Sequence, residues 1–369
     1  MNKKTIWEVV AVVVVIILII WAAQSSTHSN KTVRIGVSTL ITGSGAFIGE
    51  SITTGLKVAA AEINNAGGIN GKPIELIFED NKNTGQDGVS AFRALQTKGV
   101  DFVVTSGSAP SIAAADIAKA SGIPELTTAV FADVLAKDDN AVSFFPTPAD
   151  DAAATVQDMV KNKISNVAVI YLNSEYGVSA LNAFLTEAKK NNITIVDQEA
   201  YSGDTTDFAT PVTKALSYKP QAVHVLTINS VPVIKQIKNT KNNAVIYSNL
   251  IPVFGNLIYN SPGTFDGVHL TALRASIAGT PEFTDLRNKM SGVAKIENNT
   301  FGYSAVAYDD LYLISDVLKK AGNVKDFVPT FTSYGDFKGI NGDFNINGRG
   351  IGMKVYPVIF NQGALVEVK

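Results

Sequence analysis

A strand–helix–strand pattern at residues 33–81 constrains the fold more than any other part of the chain. The apolar run VRIGVST predicts a short strand, and a turn rich in Gly, Ser and Thr follows it. A long helical pattern at residues 49–65 then ends in the glycine-rich segment GGINGKP, which leads into a second strand, IELIFED. Two strands connected through a helix lie parallel with a right-handed crossover, so this unit predicts a parallel sheet.

Helix and strand patterns alternate along most of the remaining chain. Further strands are predicted at residues 101–105, 166–172, 194–199, 221–226, 244–247 and 267–273. Further helices are predicted at residues 112–121, 177–191, 232–240, 282–290 and 305–322. One α/β run precedes about residue 146 and a second follows it. This duplication predicts an α/β fold of two doubly wound, Rossmann-like lobes.

The composition excludes several classes of function. The net charge of the 369 residues is only −2, which argues against nucleic acid as a partner because phosphate binding needs a basic surface. The chain has no cysteine, so disulfides, thiolate metal sites, cysteine nucleophiles and a lipid-modified N-terminal cysteine are excluded. The three histidines, His28, His224 and His269, are far apart in sequence, and neither a histidine-rich metal site nor a cofactor is predicted.

The first 25 residues have the features of a membrane-targeting segment rather than of a folded domain. Two lysines precede an apolar run at residues 9–23, whose 15 residues suit a signal peptide and fall short of the roughly 20 that span a bilayer. Cleavage before Ser26 would remove this segment. Trp7 and Trp21 bracket the run as interfacial residues do, so a retained N-terminal membrane anchor is the alternative. Both alternatives place the remaining chain outside the cytoplasmic membrane.

Two sequence motifs connect this pattern with a known family. The segments AEIN at residues 61–64 and AGGINGK at residues 66–72 resemble the start of the mature domain in type I periplasmic binding proteins. The resemblance is to the branched-chain amino-acid (Leu/Ile/Val)-binding family of ABC importers. Residues 339–348, GINGDFNING, resemble the closing motif of that family, with Asn345 in place of the usual aspartate.

The resemblance implies two lobes joined by a hinge that the chain crosses three times. The first crossing is expected at FFPTP, residues 144–148, where paired prolines favour an extended path. The other crossings are expected near residues 272–274 and 331–335. Lobe one would then contain residues 32–146 and 274–331, and lobe two residues 147–273 and 332–369.

Ligands of doubly wound sheets bind where the carboxyl ends of the strands face a crevice. The segment SGSAP at residues 106–110 follows a predicted strand and precedes a helix, so the hydroxyl of Ser108 and the exposed amides there, including that of Ala109, could hold an anion. Ser108 could instead simply cap the helix. The resemblance favours binding, because Ser108 matches the carboxylate-binding serine of the family.

The resemblance also implies ligand contacts in the next loop and in lobe two. Ala129, Val130 and Phe131 correspond to a second ligand loop, in which Phe131 replaces the threonine usual in amino-acid binders. Tyr176 matches a tyrosine that closes over the ligand, with packing at a helix start as the alternative. Further positions expected near the ligand are Phe47, Ile228, Asn229, Asn249 and Leu250. Of these, Leu250 lies near the position of the usual acidic partner of a ligand ammonium, and Asn229 or Asn249 could offer a neutral polar contact instead.

These departures alter the ligand that we expect. A desolvated ammonium group needs a carboxylate or several hydrogen-bond acceptors, because an unpaired buried charge is very costly. Phe131 and Leu250 offer neither, so the sequence favours a carboxylate with an apolar or aromatic body, or a small amide. A branched-chain amino acid remains the ligand that the family implies.

No catalytic constellation is recognisable in the sequence, and an enzyme is not predicted. The acidic pairs Asp138–Asp139, Asp150–Asp151 and Asp309–Asp310 are adjacent in sequence, so their side chains diverge in regular structure. We expect these carboxylates to lie on solvated faces or at helix caps.

The sequence therefore predicts the extracytoplasmic solute-binding component of an ABC importer, in the periplasm or on the outer face of the cytoplasmic membrane. Its expected partners are one small organic solute and the membrane permease, with membrane contact only through the N-terminal segment, and it is expected to be a monomer. A ligand-sensing receptor of the same fold is the alternative. A sensor would continue into a signalling region, whereas this sequence ends at Lys369, which favours transport.

Overall fold

The computed structural model describes residues 32–368 except residues 44, 129–130, 255–256 and 292–301, and the side chains of residues 131–132 are not described. The predicted N-terminal signal peptide or anchor lies outside the described residues. No helix in the described part of the chain is long and apolar enough to cross a bilayer.

The described strands belong to two large sheets and one hairpin. They are β1 Val33–Thr39, β2 Ile74–Asp80, β3 Phe102–Thr105, β4 Glu125–Thr127, β5 Ala141–Phe144, β6 Asn166–Leu172, β7 Thr194–Tyr201, β8 Ala222–Leu226, β9 Val245–Ser248, β10 His269–Ala272, β11 Gly335–Gly339, β12 Gly342–Ile346, β13 Gly350–Ile351, β14 Tyr356–Asn361 and β15 Ala364–Glu367.

The described helices alternate with the strands, as the sequence pattern predicts. They are α1 Ala46–Asn65, α2 Gly85–Thr97, α3 Ser108–Ser121, α4 Phe131–Lys137, α5 Pro148–Lys161, α6 Glu175–Lys190, α7 Ala209–Ser217, α8 Val231–Asn239, α9 Ile251–Phe254, α10 Leu257–Asn260, α11 Pro262–Phe265, α12 Pro281–Met290, α13 Gly302–Ala321 and α14 Phe327–Thr332, with a 3-10 turn at Arg274–Ser276.

The first sheet is parallel and forms the core of lobe one. Its strand order is β13-β5-β4-β3-β1-β2, and β1 lies between β2 and β3 with Ile35 opposite Leu76 and Phe102. Ile35 and Phe102 are fully buried, as expected for strands covered by helices on both faces. Helix α13 packs directly on α1, where a Cβ atom at Gly55 would lie 2.2 Å from the Ser304 carbonyl oxygen.

The second sheet forms the core of lobe two and ends in an antiparallel edge. Its order is β15-β14-β10-β9-β8-β6-β7, in which β6 to β10 are parallel and β14 and β15 are antiparallel to their neighbours. The two sheets confirm the predicted α/β fold of two doubly wound lobes. In both lobes the carboxyl ends of the parallel strands lead into the loops that line the cleft described below.

The strand pairing corrects the third predicted crossing. Strand β13 pairs with β5, with Gly350 opposite Ser143, so the chain is still in the first sheet at residue 351. The preceding hairpin packs against the same strand, since the Phe337 and Phe344 rings lie 5.7 and 4.8 Å from the Phe144 ring. Residues 332–351 therefore pack with lobe one, and the chain crosses to lobe two between β13 and β14.

The first turn of α5 connects the crossings with one another. Asp150 caps α5 by accepting a hydrogen bond from the Thr147 amide, at 2.9 Å, and a Cβ atom at Gly352 would lie 2.5 Å from Asp150 Oδ2. Asp151 accepts hydrogen bonds from the Thr271 hydroxyl and the Leu250 amide. The two carboxylates thus contact segments next to all three crossings.

The acidic pairs were expected to lie on solvated faces or at helix caps, and this is correct for only two of the six residues. Asp150 is a cap and Asp139 is exposed, but Asp138, Asp151, Asp309 and Asp310 are buried. Burial raises the pKa of Asp151 and of Asp309 to about 7. Asp309 accepts from the amides of Ile340 and Asn341, at 2.7 and 3.1 Å, and so anchors the turn between β11 and β12. The sequence spacing of adjacent residues cannot reveal such long-range partners.

Candidate functional site

A cavity of about 240 Å³ lies between the two lobes, at the carboxyl ends of the strands. Residues of both lobes and of the first crossing form its walls. They are Leu40, Ile48, Asn83, Ser106, Gly107, Ser108, Ala109, Thr128, Phe145, Pro146, Pro148, Leu172, Asn173, Ser174, Glu175, Tyr176, Gly203, Ile228, Ile251 and Tyr303. This is the position at which doubly wound sheets bind ligands.

A buried polar network holds the strand ends on the lobe-one side. The Asn81 side-chain amide donates to the Ser38 hydroxyl, at 3.2 Å, and to the Ser106 carbonyl, at 2.8 Å. The Ser106 hydroxyl donates to Thr39 Oγ1, at 2.8 Å. These bonds join the ends of β1, β2 and β3, so the segment that starts at Ser106 has a fixed position at the cavity wall.

The lobe-one wall presents the start of helix α3 to the cavity. Gly107 occupies the N-cap position with φ of 88°, in the left-handed region that favours glycine, and Ser108 is the first helical residue. Ser108 is therefore not the N-cap that the alternative interpretation requires. The first amides of a helix lack intrahelical acceptors and carry partial positive charge, so they favour an anion at this wall.

The lobe-two wall presents Tyr176 from the first turn of α6. The Ser174 hydroxyl caps this helix by accepting from the Gly177 amide, at 3.2 Å. Gly177 lies against the end of β6, since a Cβ atom there would be 1.9 Å from the Leu172 carbonyl oxygen. The Asn249 side-chain amide donates to the Tyr176 hydroxyl, at 3.0 Å. Burial, followed by the nearby charge of Asp151, raises the pKa of Tyr176, so its phenol stays neutral.

Aromatic rings form the wall at the first crossing. The Phe145 ring stacks on the Tyr303 ring with centroids 6.2 Å apart and an angle of 21° between the planes. Phe254 packs edge-on behind Tyr303, with centroids 5.1 Å apart. Burial raises the pKa of Tyr303, which is therefore neutral as well. With Leu40, Ile48, Ile228 and Ile251, these rings make most of the cavity apolar.

The described lining of the cavity carries little charge. Among the described lining residues, Glu175 is the only one with a charged side chain, and it is exposed at the start of α6. No lysine, arginine or histidine belongs to the described lining. An anionic ligand would therefore depend on backbone amides, hydroxyls and carboxamides rather than on a salt bridge.

Four of the predicted ligand residues line the cavity: Ser108, Ala109, Tyr176 and Ile228. Four others are placed elsewhere among the described residues. Phe47 packs against the core while its neighbour Ile48 lines the cavity, and Asn229 is exposed and accepts from the Val231 amide, at 3.2 Å. Asn249 and Leu250 are buried behind the wall, and Ile251 lines the cavity instead.

The remaining predicted positions belong to the second ligand loop. Ala129 and Val130 lie outside the described residues. Phe131 begins helix α4, and its side chain is not described.

Sequence reasoning missed several lining residues. Asn83 and Glu175 could have been predicted from the sequence, because both lie just after predicted strands. Phe145 could also have been predicted, because it belongs to the first predicted crossing. No sequence pattern indicates Tyr303, because it reaches the cavity only through the packing of α13 against α1.

The fold and the cavity define a class: a two-lobed α/β protein with a small-molecule cleft between its lobes. The model of the periplasmic binding protein family matches residues 32–358. The chain therefore belongs to the periplasmic binding protein family.

A curated relative matches about half of the chain at moderate sequence identity. Leu/Ile/Val-binding protein homolog 3 of Brucella melitensis is 31% identical over 198 residues, which cover 52% of this chain and 53% of that protein. The match thus spans about half the length of the curated relative.

Solved structures show the same fold. The branched-chain amino acid transporter substrate-binding protein of Streptococcus pneumoniae in complex with isoleucine has a TM-score of 0.79 at 21% identity, covering 92% of this chain and all (100%) of that one. An ABC-transporter solute-binding protein of R. palustris in complex with benzoate has a TM-score of 0.79 at 16% identity, covering 91% and 95%.

Proposed function

We propose that the protein is the extracytoplasmic solute receptor of an ABC importer, which closes its two lobes on one small molecule and delivers it to a membrane permease. The cavity between the lobes, with residues from both walls and from the hinge, is the observation that carries this proposal. A ligand that contacts both walls favours the closed arrangement, and a permease can then distinguish loaded from empty receptor. We also propose lobe boundaries of 32–145 and 274–352 for lobe one, and 146–273 and 353–368 for lobe two.

The ligand that we propose is a carboxylate with an apolar or aromatic body and no α-ammonium group. The start of α3 at Ser108 supplies the end for the carboxylate, and the rings of Phe145 and Tyr303 supply a surface for the body. The solved relatives bind either isoleucine or benzoate, so both chemistries occur on this fold.

One observation favours an amino acid instead. Glu175 lines the cavity and could accept hydrogen bonds from a ligand ammonium group. It is also exposed in the first turn of α6, where an acidic residue stabilises the helix without any ligand. Glu175→Gln separates the two roles, because it weakens binding of an amino acid but not of a carboxylate that lacks the ammonium group.

Thermal-shift screening tests the proposed function. The protein is first unfolded and refolded to remove any ligand carried through purification, and is then heated with a library of organic acids, amides and amino acids. A ligand at about 100 times its dissociation constant adds about 2.7 kcal/mol of stability, which gives a clear rise in melting temperature. Stabilisation by no member of the library would contradict the proposal.

A sensory receptor of the same fold would show the same binding. The two are distinguished by uptake, because deletion of the gene abolishes transport of the stabilising solute only if the protein feeds a permease.

A further inference from the structure

The turn after β2 places Asn83 at the end of the cavity where α3 begins. Asn83 lines the cavity, and a Cβ atom at Gly107 would lie 2.7 Å from Asn83 Oδ1. The absence of a Cβ atom at Gly107 therefore lets the Asn83 carboxamide approach the backbone that leads into Ser108.

The backbone of this turn is fixed by hydrogen bonds. Lys82 and Asn83 have φ of 45° and 59°, a left-handed conformation that asparagine tolerates better than most residues. The Asn83 amide donates to Asn81 Oδ1, at 3.0 Å, and the Lys82 amide donates to Asp80 Oδ1, at 2.9 Å. Asn81 in turn is held by the buried network at the strand ends, so the backbone that carries the Asn83 side chain is positioned before any ligand binds.

The side-chain carboxamide of Asn83 can hydrogen-bond to a ligand. Within the described part of the chain, no hydrogen bond engages the Asn83 side chain, whereas its main-chain N–H group donates to Asn81 Oδ1. Because the described cavity lining contains no cation, a ligand carboxylate must be balanced by neutral donors, and the carboxamide N–H group of a lining asparagine is such a donor.

We propose that Asn83 is a specificity-determining residue, which donates its carboxamide N–H group to the ligand carboxylate and selects for an anion at this end of the cavity. This inference rests on the proposed function, since it assumes a carboxylate ligand. It predicts that a carboxylate at position 83 would reverse the preference, toward a neutral ligand that can donate a hydrogen bond.

Three variants test the proposal with benzoate and its neutral counterpart benzamide as probes. Asn83→Gly keeps the left-handed backbone and removes the side chain, and Asn83→Asp keeps the shape and adds a negative charge. Asn70→Asp is the matched control, because Asn70 also has positive φ, 50°, and is exposed in a turn outside the cavity lining. Melting temperatures of the three variants establish that each is folded.

Calorimetry of the full chain gives the readout. We expect Asn83→Gly to weaken benzoate binding about ten- to hundredfold, the range for one hydrogen bond to a charged group. We expect Asn83→Asp to weaken it further and to bind benzamide more tightly than benzoate, while Asn70→Asp resembles the wild type. Equal benzoate affinity in the wild type and Asn83→Asp would overturn the role of Asn83 alone. Wild-type protein that binds neither benzoate nor any other carboxylate would overturn the proposed ligand class, and the role of Asn83 with it.

Discussion

Ser108, the first residue of α3, and Glu125, the first residue of β4, have different roles. Ser108 lines the cavity at the first position of α3, because Gly107 takes the cap position before it. Glu125 lies on β4, fully buried, where its carboxyl group accepts a hydrogen bond from the Thr105 hydroxyl. The first residue lies at the cavity wall, and the second affects the stability of the sheet.

Ser108→Ala is expected to weaken carboxylate binding by about 1–3 kcal/mol, because it removes one hydrogen bond to a charged group. The stability of the free protein is a second readout, because Ser108 is the first residue of α3. Calorimetry and chemical denaturation measure the two effects. Ser121→Ala, at the other end of the same helix, is the control and should leave affinity unchanged. Unchanged affinity with reduced stability in Ser108→Ala would assign Ser108 to the helix instead of the ligand.

Glu125→Gln is expected to make the protein less sensitive to alkaline pH. Burial raises the pKa of Glu125 from 4.5 to about 8, so between these values the folded state keeps a proton that the unfolded state has lost. The free energy of unfolding therefore falls as pH rises through this window, and glutamine removes that contribution. We expect the stability of the variant relative to wild type to rise by about 3–4 kcal/mol between pH 5 and pH 8.

Chemical denaturation of both proteins at the two pH values measures this difference. Other buried groups, such as Asp309 and His224, titrate in both proteins and cancel in the comparison. A parallel pH dependence of wild type and variant would show that Glu125 is ionised in the folded protein.

At the scale of the elements, close contacts between helices and strand ends position the cavity wall. Helix α6 reaches the end of β6 only because residue 177 is glycine, and this contact places Tyr176 at the cavity. Helix α1 reaches α13 in the same way through Gly55. The wall therefore depends on backbone contacts that tolerate no Cβ atom.

Gly177→Ala is expected to destabilise the protein by about 1–3 kcal/mol, as overpacking in a core does. The new Cβ atom would lie 1.9 Å from the Leu172 carbonyl oxygen, so α6 must move and carry Tyr176 with it. Ligand affinity should fall as well. Gly263→Ala is the control, since a Cβ atom on that short helix has open space around it. Equal stability and affinity in both variants would mean that α6 can shift freely.

The elements themselves were largely predictable from the sequence, and their long-range partners were not. Strand β1 was predicted with its observed ends because its short run follows the polar residues 29–32 and leads toward a turn rich in Gly, Ser and Thr. Helix α3 begins at Ser108 rather than at residue 112, because the left-handed Gly107 allows an abrupt turn from strand to helix. Strand β13 has only two residues, too few for a periodic pattern, so the third crossing was misplaced.

The candidate site was predictable where it follows a strand directly. Ser108 was predicted in this way, and Asn83 could have been predicted by the same rule, whereas Tyr176 was predicted from the family resemblance; all three line the cavity. Leu250 and Ile251 are adjacent, so an error of one position exchanges a buried residue for a lining one. Tyr303 depends on helix packing between distant segments, which no local pattern reveals.

At the scale of the whole molecule, the two sheets and their three connections support the proposed binding by closure. The connections run together near the first turn of α5, where Asp150 and Asp151 contact the segments beside them. The cavity opens between the lobes, so its two walls belong to different lobes, and the proposed closure would bring them together about this junction. A ligand that bridges the walls would stabilise the closed arrangement in proportion to its contacts with both.

The central claim is that this cavity prefers a carboxylate without an α-ammonium group. A zwitterion would bring its ammonium group to a wall in which Glu175 is the only described carboxylate and is exposed to solvent. Loss of one charge-assisted hydrogen bond, worth about 1.5–3 kcal/mol, lowers affinity about ten- to hundredfold. The deaminated counterparts of leucine and valine meet no such penalty.

Calorimetry on refolded protein with leucine, valine, 4-methylpentanoate, 3-methylbutanoate and benzoate tests this claim most directly. We expect at least one of the three carboxylates that lack an ammonium group to bind at least tenfold more tightly than either amino acid. Tight binding of leucine or valine, with the deaminated acids silent, would contradict the account and assign the receptor to branched-chain amino acids.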